Sequence, residues 1–316
     1  LFKMKFDTSY NENSKSSDNP KIALTYGDKI SDTSAHVLGI TYSSKQIVTY
    51  NNETGYGWET NSTGLKEMND DWEMRYYDLT RERYGLTYDI DFLVSDETTL
   101  YVKAFWNEYV DDELRWKDEY GKITQTGTTT DTLMETSRIR HDAESRVREE
   151  TRTIQAINFG GDTIIGEWDT SFQISHSYAE QDDTDNADVT FRCYLRAGKD
   201  EGCTNLKNLD KNTPLGQYDF SNPKKPYLNV YQEFKELYDP ANLNFKELEM
   251  ERSTIEDEEI AFKVDFQKDS YFGDLPSTVK FGFKYRSREV IKDKNLDFYE
   301  WDGKTMADFD PVTIAW

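Results

Sequence analysis

The sequence predicts an all-β protein, an antiparallel up-and-down transmembrane β-barrel, present here as an incomplete barrel of about nine strands. Three observations predict it. Large apolar residues alternate with polar ones along nine segments, as in strands whose two faces meet different surroundings. The connections are alternately short and long, as in a meander with turns at one end and loops at the other. Fully charged side chains occupy the polar face, which suits a hydrated interior.

The segment 84–92 shows this alternation most clearly. One face carries Tyr84, Tyr88 and Phe92 together with leucine and isoleucine, and glycine, threonine and aspartate lie between them. A helix would mix these two sets around its axis, so the pattern excludes a helix here. The segment 146–159 is the weakest, because only its last six residues look sheet-like. In chain order the nine segments are 2–10, 22–26, 38–42, 84–92, 100–106, 146–159, 168–174, 260–266 and 279–285.

The connections between these segments alternate in length. Because bacterial single-chain barrels have an even number of strands, nine strands predict a piece of a larger barrel. The alternative is that residues 311–316 begin a tenth strand. The predicted short connections are 27–34, 94–98, 160–166 and 268–277. The predicted long ones are 11–20, 43–69, 111–144 and 180–246, followed by a tail from residue 290.

A soluble antiparallel sandwich, with its apolar face buried in a core, shares the alternating pattern. Charged polar faces and aromatic residues at the strand ends favour the membrane barrel, which carries aromatic girdles at both interfaces. The length also fits, since nine residues at about 3.3 Å each, tilted by about 40°, rise roughly 23 Å.

The 316 residues include 38 Lys and Arg and 61 Asp and Glu, which gives a formal net charge of −23. Such an anionic chain is not expected to bind nucleic acid, because affinity for phosphates comes from clustered basic residues. Neither a transmembrane helix nor a signal peptide is visible in the sequence. Cys193 and Cys203 are the two cysteines. They either close a small disulfide loop in an oxidising compartment or stay as thiols, and the spacing permits both.

Several segments resemble barrel hairpins of TonB-dependent outer-membrane receptors. They are YGLTYDIDF at 84–92 followed by SDETTLY at 95–101, NEYVDDELR at 107–115, FGG with GEWD within 159–169, and FGFKYRSR at 281–288. Each motif is degenerate alone, and their order and spacing carry the resemblance, which covers roughly residues 1–300.

The resemblance implies a 22-stranded barrel with a plugged lumen in the bacterial outer membrane, with short periplasmic turns and long extracellular loops. Residues 1–316 form one partial barrel domain, and no plug domain is visible in this chain. The implied function is active uptake of a bulky polar nutrient, such as an oligosaccharide or an iron chelate. The implied partners are outer-membrane lipid, the TonB complex through the missing plug segment, a small-molecule or glycan ligand, and a surface lipoprotein.

Aromatic residues in the predicted loops are candidate ligand contacts, because sugars stack their C–H faces on such rings. The alternative is that they extend the strands or pack the loops. The candidates are Trp58, Trp72, Trp116, Tyr120 and Trp301. A basic column of Lys280, Lys284, Arg286 and Arg288 is predicted to face the lumen, since these residues alternate with the apolar set.

The sequence shows no phosphate-binding glycine loop, zinc-helix motif or nucleophile turn, so neither catalysis nor a cofactor is expected. The acidic run 181–188 is interpreted as a solvated loop rather than a calcium site, because it fails the EF-hand pattern. The main alternative function is a secreted carbohydrate-binding β-sandwich module, and a passive porin is a third.

Overall fold

The computed structural model describes residues 1–55, 58–60, 64, 66–68, 71–222 and 224–309. The protein is all-β, with 76% of its residues in strands and 3% in helix, which confirms the predicted class. The segment 311–316, the alternative tenth strand, lies outside the described residues.

The strands are numbered in chain order. They are β1 (Phe2–Thr8), β2 (Pro20–Ser31), β3 (Ser34–Thr54), β4 (Trp58–Thr60), β5 (Lys66–Met68), β6 (Trp72–Ser95), β7 (Thr98–Gly121), β8 (Gln125–Thr129), β9 (Leu133–Thr136), β10 (Arg138–Ile165), β11 (Trp168–Arg196), β12 (Asp200–Glu201), β13 (Thr204–Asn205), β14 (Gly216–Asp219), β15 (Tyr227–Val230), β16 (Asn244–Phe272) and β17 (Leu275–Tyr299).

Nine of these strands form one antiparallel sheet in the order β1-β2-β3-β6-β7-β10-β11-β16-β17. Each strand in this list pairs with the next one, so the sheet is the predicted meander. Within the described chain, β1 and β17 pair with no further strand on their outer edges. We call the end of the sheet with the two-residue turns the lower half, and the end with the long connections the upper half.

The strands are much longer than predicted. Four two-residue turns, 32–33, 96–97, 166–167 and 273–274, replace the predicted short connections. Large parts of the predicted long connections and of the tail from 290 are strand, and all of 146–159 lies in β10. In these upper parts charged residues pair across the strands on one face and core residues pack on the other, so backbone pairing continues beyond the predicted segments.

The two faces of the sheet differ in chemistry. We call the face that carries Tyr84, Tyr88 and Phe92 the aromatic face, and the face that carries Lys280 and Lys284 the charged face. Cross-strand partners share a face. Each residue of the sheet can therefore be assigned to a face from the observed register.

The hydrophobic core lies on the aromatic face of the upper half. There a four-stranded sheet in the order β15-β14-β9-β8 and the connection 197–243 pack against the long strands. The contact between the two layers is closely packed, because its largest side chains are almost fully buried. The fully buried residues from both layers include Trp72, Met134, Ile139, Phe191, Cys193, Leu195, Leu215, Tyr218 and Leu237.

Cys193 and Cys203 form a disulfide, with their Cα atoms 5.2 Å apart. This is one of the two outcomes that the spacing permitted. Cys193 is fully buried at the upper end of β11, and Cys203 lies in the β12–β13 hairpin. The bond therefore ties the start of the connection 197–243 to the long sheet.

Replacing both cysteines, Cys193→Ala with Cys203→Ala, is expected to lower the free energy of unfolding by about 3 kcal/mol, because the disulfide restricts the unfolded chain by linking residues 10 positions apart. Urea titration of the variant against the oxidised protein measures the change. As a control, the denatured but unreduced wild-type protein should take up no alkylating reagent. Quantitative alkylation of both sulfurs there would contradict the pairing.

Candidate functional site

A band of large apolar side chains crosses all nine strands on the aromatic face of the lower half. Within the described chain none of these side chains is buried, and several rings are half exposed or more, Phe281 and Phe283 among them. The band runs through Phe2, Met4, Phe6, Ile22, Leu24, Tyr26, Leu38, Ile40, Tyr42, Tyr84, Leu86, Tyr88, Ile90, Phe92, Leu100, Val102, Ala104, Trp106, Ile157, Phe159, Trp168, Phe172, Ile174, Ile260, Phe262, Val264, Phe266, Val279, Phe281, Phe283 and Tyr285.

The band does not follow the hydrogen-bonded rows of the sheet. The row that starts at Met4, the middle of the band on β1, passes through directly paired residues to Glu289 on β17. On β17 the band is centred on residue 282, seven positions nearer the lower end. Seven residues at about 3.3 Å over eight strand spacings of about 4.8 Å correspond to a tilt of roughly 30°. If the strands are tilted by that angle, the band lies at the same height on all nine of them.

Aromatic residues line both margins of the band. At the upper margin the rings of Tyr42 and Tyr84 lie 5.2 Å apart, and both hydroxyls donate hydrogen bonds to Glu82, at 2.8 and 3.0 Å. Their apolar bodies thus belong to the band and their polar tips to the charged groups above it. At the lower margin the rings of Trp168 and Phe281 lie 5.1 Å apart.

The charged face of the upper half carries a continuous lattice of ion pairs. Burial opposes ionisation of Glu144, but the hydrogen bond and charge of Lys117 together with the charges of Arg115 and Arg146 hold its pKa below the usual range. Burial raises the pKa of Asp188 in spite of the nearby Arg146. The pairs are Arg75 with Glu53 and Glu73, Arg81 with Asp111, Arg115 with Glu144 and Asp188, Lys117 with Glu119 and Glu144, Arg140 with Glu119 and Asp142, Arg146 with Asp188, Arg148 with Glu113 and Glu150, Arg152 with Glu150, and Arg192 with Asp142.

A depression of about 690 Å³ lies on the charged face just below this lattice. Lys21, Arg83 and Arg152 surround it, and Tyr109 and Asn107 also line it. The sequence carries no signal for this site, because its cations come from three distant strands and only the register aligns them.

The predicted basic column lies on the charged face, on the edge strand β17. Arg286 contacts Glu259 at 3.1 Å, and Arg288 forms a bidentate pair with Asp257. Lys280 lines a second, more acidic cleft of about 370 Å³. The column is therefore already half neutralised by carboxylates on β16.

Two of the five candidate aromatic contacts are core residues. Trp72 is 1% exposed and Tyr120 is 4% exposed, and their rings stack 5.4 Å apart beneath the second layer. Neither ring has a face free for a sugar, because both faces belong to the packed interior. The side chain of Trp58 lies outside the described residues.

The other two candidates are accessible. Trp116 is 41% exposed and ends a ladder of rings on the aromatic face, with Tyr76 at 5.2 Å and Tyr50 a further 5.0 Å along. Trp301 is 55% exposed, packs edge-on against Phe309, and has the Lys304 ammonium 5.4 Å from its ring centre. The structure therefore does not bring the five candidates together into one binding surface.

The acidic run 181–188 is strand rather than the predicted loop, since it lies inside β11. Alternation along the strand sends Asp182 and Asp183 to opposite faces, so they do not converge on one ion. A bulge between the pairings of Asp183 and Asn186 interrupts the register there.

One group of carboxylates converges elsewhere. Oxygen atoms of Asp71, Glu73 and Glu119 lie within 4.8 Å of one another at the upper end of the charged face. Glu73 already pairs with Arg75, and Glu119 pairs with Arg140. Cations of the protein therefore already pair with two of the three carboxylates, and the group carries no case for a metal.

Neither of the short 3-10 helices in the described chain, Gln232–Tyr238 and Met306–Asp308, has the length and apolar character of a membrane-spanning helix. Comparison with protein-family models, with curated proteins and with solved structures found no match to this chain.

Proposed function

We propose that this chain is part of the outer-membrane β-barrel of a TonB-dependent receptor that takes up a bulky polar nutrient. The observation that carries the proposal is the exposed apolar band, which is continuous over nine meander strands and opposed by a charged face. An exposed apolar band of this kind is stable in contact with the hydrocarbon of a membrane. The charged face is stable in contact with water.

The drift of the band supports this proposal. A membrane core is flat, so a band that meets it must be level whatever the tilt of the strands. The tilt of roughly 30° that levels the band is close to the 35–45° of membrane barrels. A sandwich core sets no such condition, and no layer buries the band in the described chain. The carbohydrate-binding sandwich is accordingly the weaker alternative.

The charged face would then line the water-filled lumen, with Lys280, Lys284, Arg286 and Arg288 along one strand of its wall. A position in lipid also requires further strands beyond β1 and β17, because an unpaired strand edge leaves backbone groups without hydrogen bonds in hydrocarbon. Energy-coupled passage needs a plug within that closed barrel. The chain acts in this proposal by passage of a ligand and not by catalysis.

Membrane fractionation tests the proposal. The native protein should sediment with outer membranes and stay there through a carbonate wash, and detergent should release it. Uptake of its nutrient should stop when the proton gradient is dissipated. Recovery of the native protein in the soluble fraction would overturn the proposal and favour the sandwich module.

A further inference from the structure

The depression on the charged face is built around one hydrogen-bonded row of the sheet. Lys21 pairs with Ser43, Ser43 with Arg83, Arg83 with Tyr109, and Tyr109 with Arg152. Because paired residues share a face, all five side chains project to the same side. The guanidinium carbons of Arg83 and Arg152 lie 5.4 and 5.9 Å from the centre of the Tyr109 ring, which holds them beside it.

The next row towards the lower half forms the floor of the depression. Gly85 lies there between Thr41 and Asn107. A Cβ atom on Gly85 would come within 2.4 Å of the Thr41 hydroxyl and 3.0 Å of the Asn107 amide oxygen. Because Gly85 has no side chain, the depression stays open at this point, and the Thr41 hydroxyl and the Asn107 amide flank it.

The charge balance at this row differs from that of the lattice above it. Within the described chain, neither Lys21 nor Arg83 forms an ion pair. Asp7, which lies opposite Lys21, pairs with Lys5 at 2.9 Å, and Arg152 pairs with Glu150 at 2.5 Å. The row thus presents an excess of positive charge in a chain whose net charge is −23.

We infer that this depression binds a linear ligand that carries anionic groups about 10 Å apart. The spacing follows from the sheet, since Lys21 and Arg83 are two strand spacings apart, as are Arg83 and Arg152. Carboxylates or sulfates would bind the cations, and the Tyr109 ring and the Asn107 amide would contact the uncharged part between them. An acidic oligosaccharide has this chemistry.

This inference rests on the proposed function for the claim that such a ligand is the transported nutrient. The binding itself is separate from it. A protein that binds the ligand but fractionates as soluble would overturn the transport proposal and leave the site. A protein that resides in the outer membrane but does not bind the ligand would overturn the site and leave the transport proposal.

Calorimetric titration of the full chain in a non-ionic detergent tests the site. The probes are hexagalacturonate, a chondroitin sulfate hexasaccharide and neutral maltohexaose. At least one anionic probe should bind about tenfold more tightly than maltohexaose, and added salt should weaken it. Preference for hexagalacturonate would show that carboxylates suffice, and preference for the chondroitin sulfate hexasaccharide, which carries both groups, would show that sulfate contributes. Binding of neither anionic probe, or equal binding of all three, would overturn the inference.

A matched pair of variants locates the binding. Lys21→Gln with Arg83→Gln should raise the Kd of the anionic probe by about tenfold or more, because it removes both unpaired cations. Lys280→Gln with Lys284→Gln removes the same charge from the same face outside the depression, and should change the Kd by less than about twofold. Equal losses in both variants would mean a general effect of charge and would overturn the site. Far-ultraviolet circular dichroism checks that each variant keeps its strands.

Discussion

Tyr88→Arg should cost about 2–4 kcal/mol of the free energy of folding into a bilayer, which is the usual cost of a basic residue at mid-depth on a lipid-facing strand. Tyr88 is the middle of the five band residues on β6, so it would lie nearest the centre of the hydrocarbon. A guanidinium there must either stay in lipid or drag water and headgroups towards it.

The adjacent residue provides the control for this substitution. Thr87 projects to the charged face, where it is exposed and faces Gly39. Thr87→Arg introduces the same side chain at nearly the same height and should leave the folding free energy within about 0.5 kcal/mol of the wild type. The difference between the two variants therefore measures which face meets lipid.

A third variant separates the new charge from the loss of the ring. Tyr88 contacts the ring of His36, with centroids 5.8 Å apart, and Tyr88→Leu removes that contact without adding a charge. It should lose far less stability than Tyr88→Arg. The measurement is made on the closed barrel that contains this chain: folding into lipid vesicles against urea, followed by the mobility shift of folded barrels on unheated gels. Equal folding of Tyr88→Arg and Thr87→Arg would refute the assignment of the aromatic face to lipid.

The lower half of the sheet could be predicted from the sequence because one of its faces carries apolar residues and the other carries polar and charged ones. Each strand there alternates between apolar and polar residues, as Phe281 and Phe283 do with Lys280 and Lys284. The meander order followed from the alternation of connection lengths, and the sheet confirms it. What the pattern did not reveal is how far each strand continues.

The upper half could not be predicted, because cross-strand ion pairs occupy its charged face, and its apolar residues pack under a second layer that only the structure reveals. On β7 and β10 the partners of the charged face are themselves charged, such as Glu113 beside Arg148. A run of mixed charges in sequence is equally typical of a solvated loop. Only the register shows that opposite charges lie on neighbouring strands, where each pair offsets the desolvation of its members.

The candidate sites could not be located from the sequence either, because they also depend on how the strands pair. The sequence identifies the candidate aromatic residues only by their type and their place in predicted loops. The structure moves Trp72 and Tyr120 from loops to the buried ends of β6 and β7. The depression between Lys21 and Arg152 spans residues far apart in the chain, and its composition is ordinary in sequence. Pairing over five strands was needed to find it.

Trp72→Ala should lower the free energy of unfolding by about 3–5 kcal/mol, which is the usual cost of removing a large aromatic side chain from a packed core. The Trp72 ring stacks on Tyr120, and Tyr120 stacks on His141 at 4.8 Å. His141 in turn contacts the carbonyl of Leu237 at 3.1 Å, in the connection that covers the core. Loss of the indole should therefore loosen the second layer as well as create a cavity.

Trp301→Ala is the matched control, because it removes the same side chain from an exposed position. It should change the unfolding free energy by less than about 1 kcal/mol. Urea titration measures both variants, and proteolysis within 197–243 reports whether the second layer has loosened. A stable Trp72→Ala protein that loses only ligand affinity would restore the binding role first assigned to this residue. Loss of stability with normal affinity in the surviving folded fraction would show that Trp72 acts only as a core residue. Its stack with Tyr120 and His141 then serves to couple the long strands to the second layer.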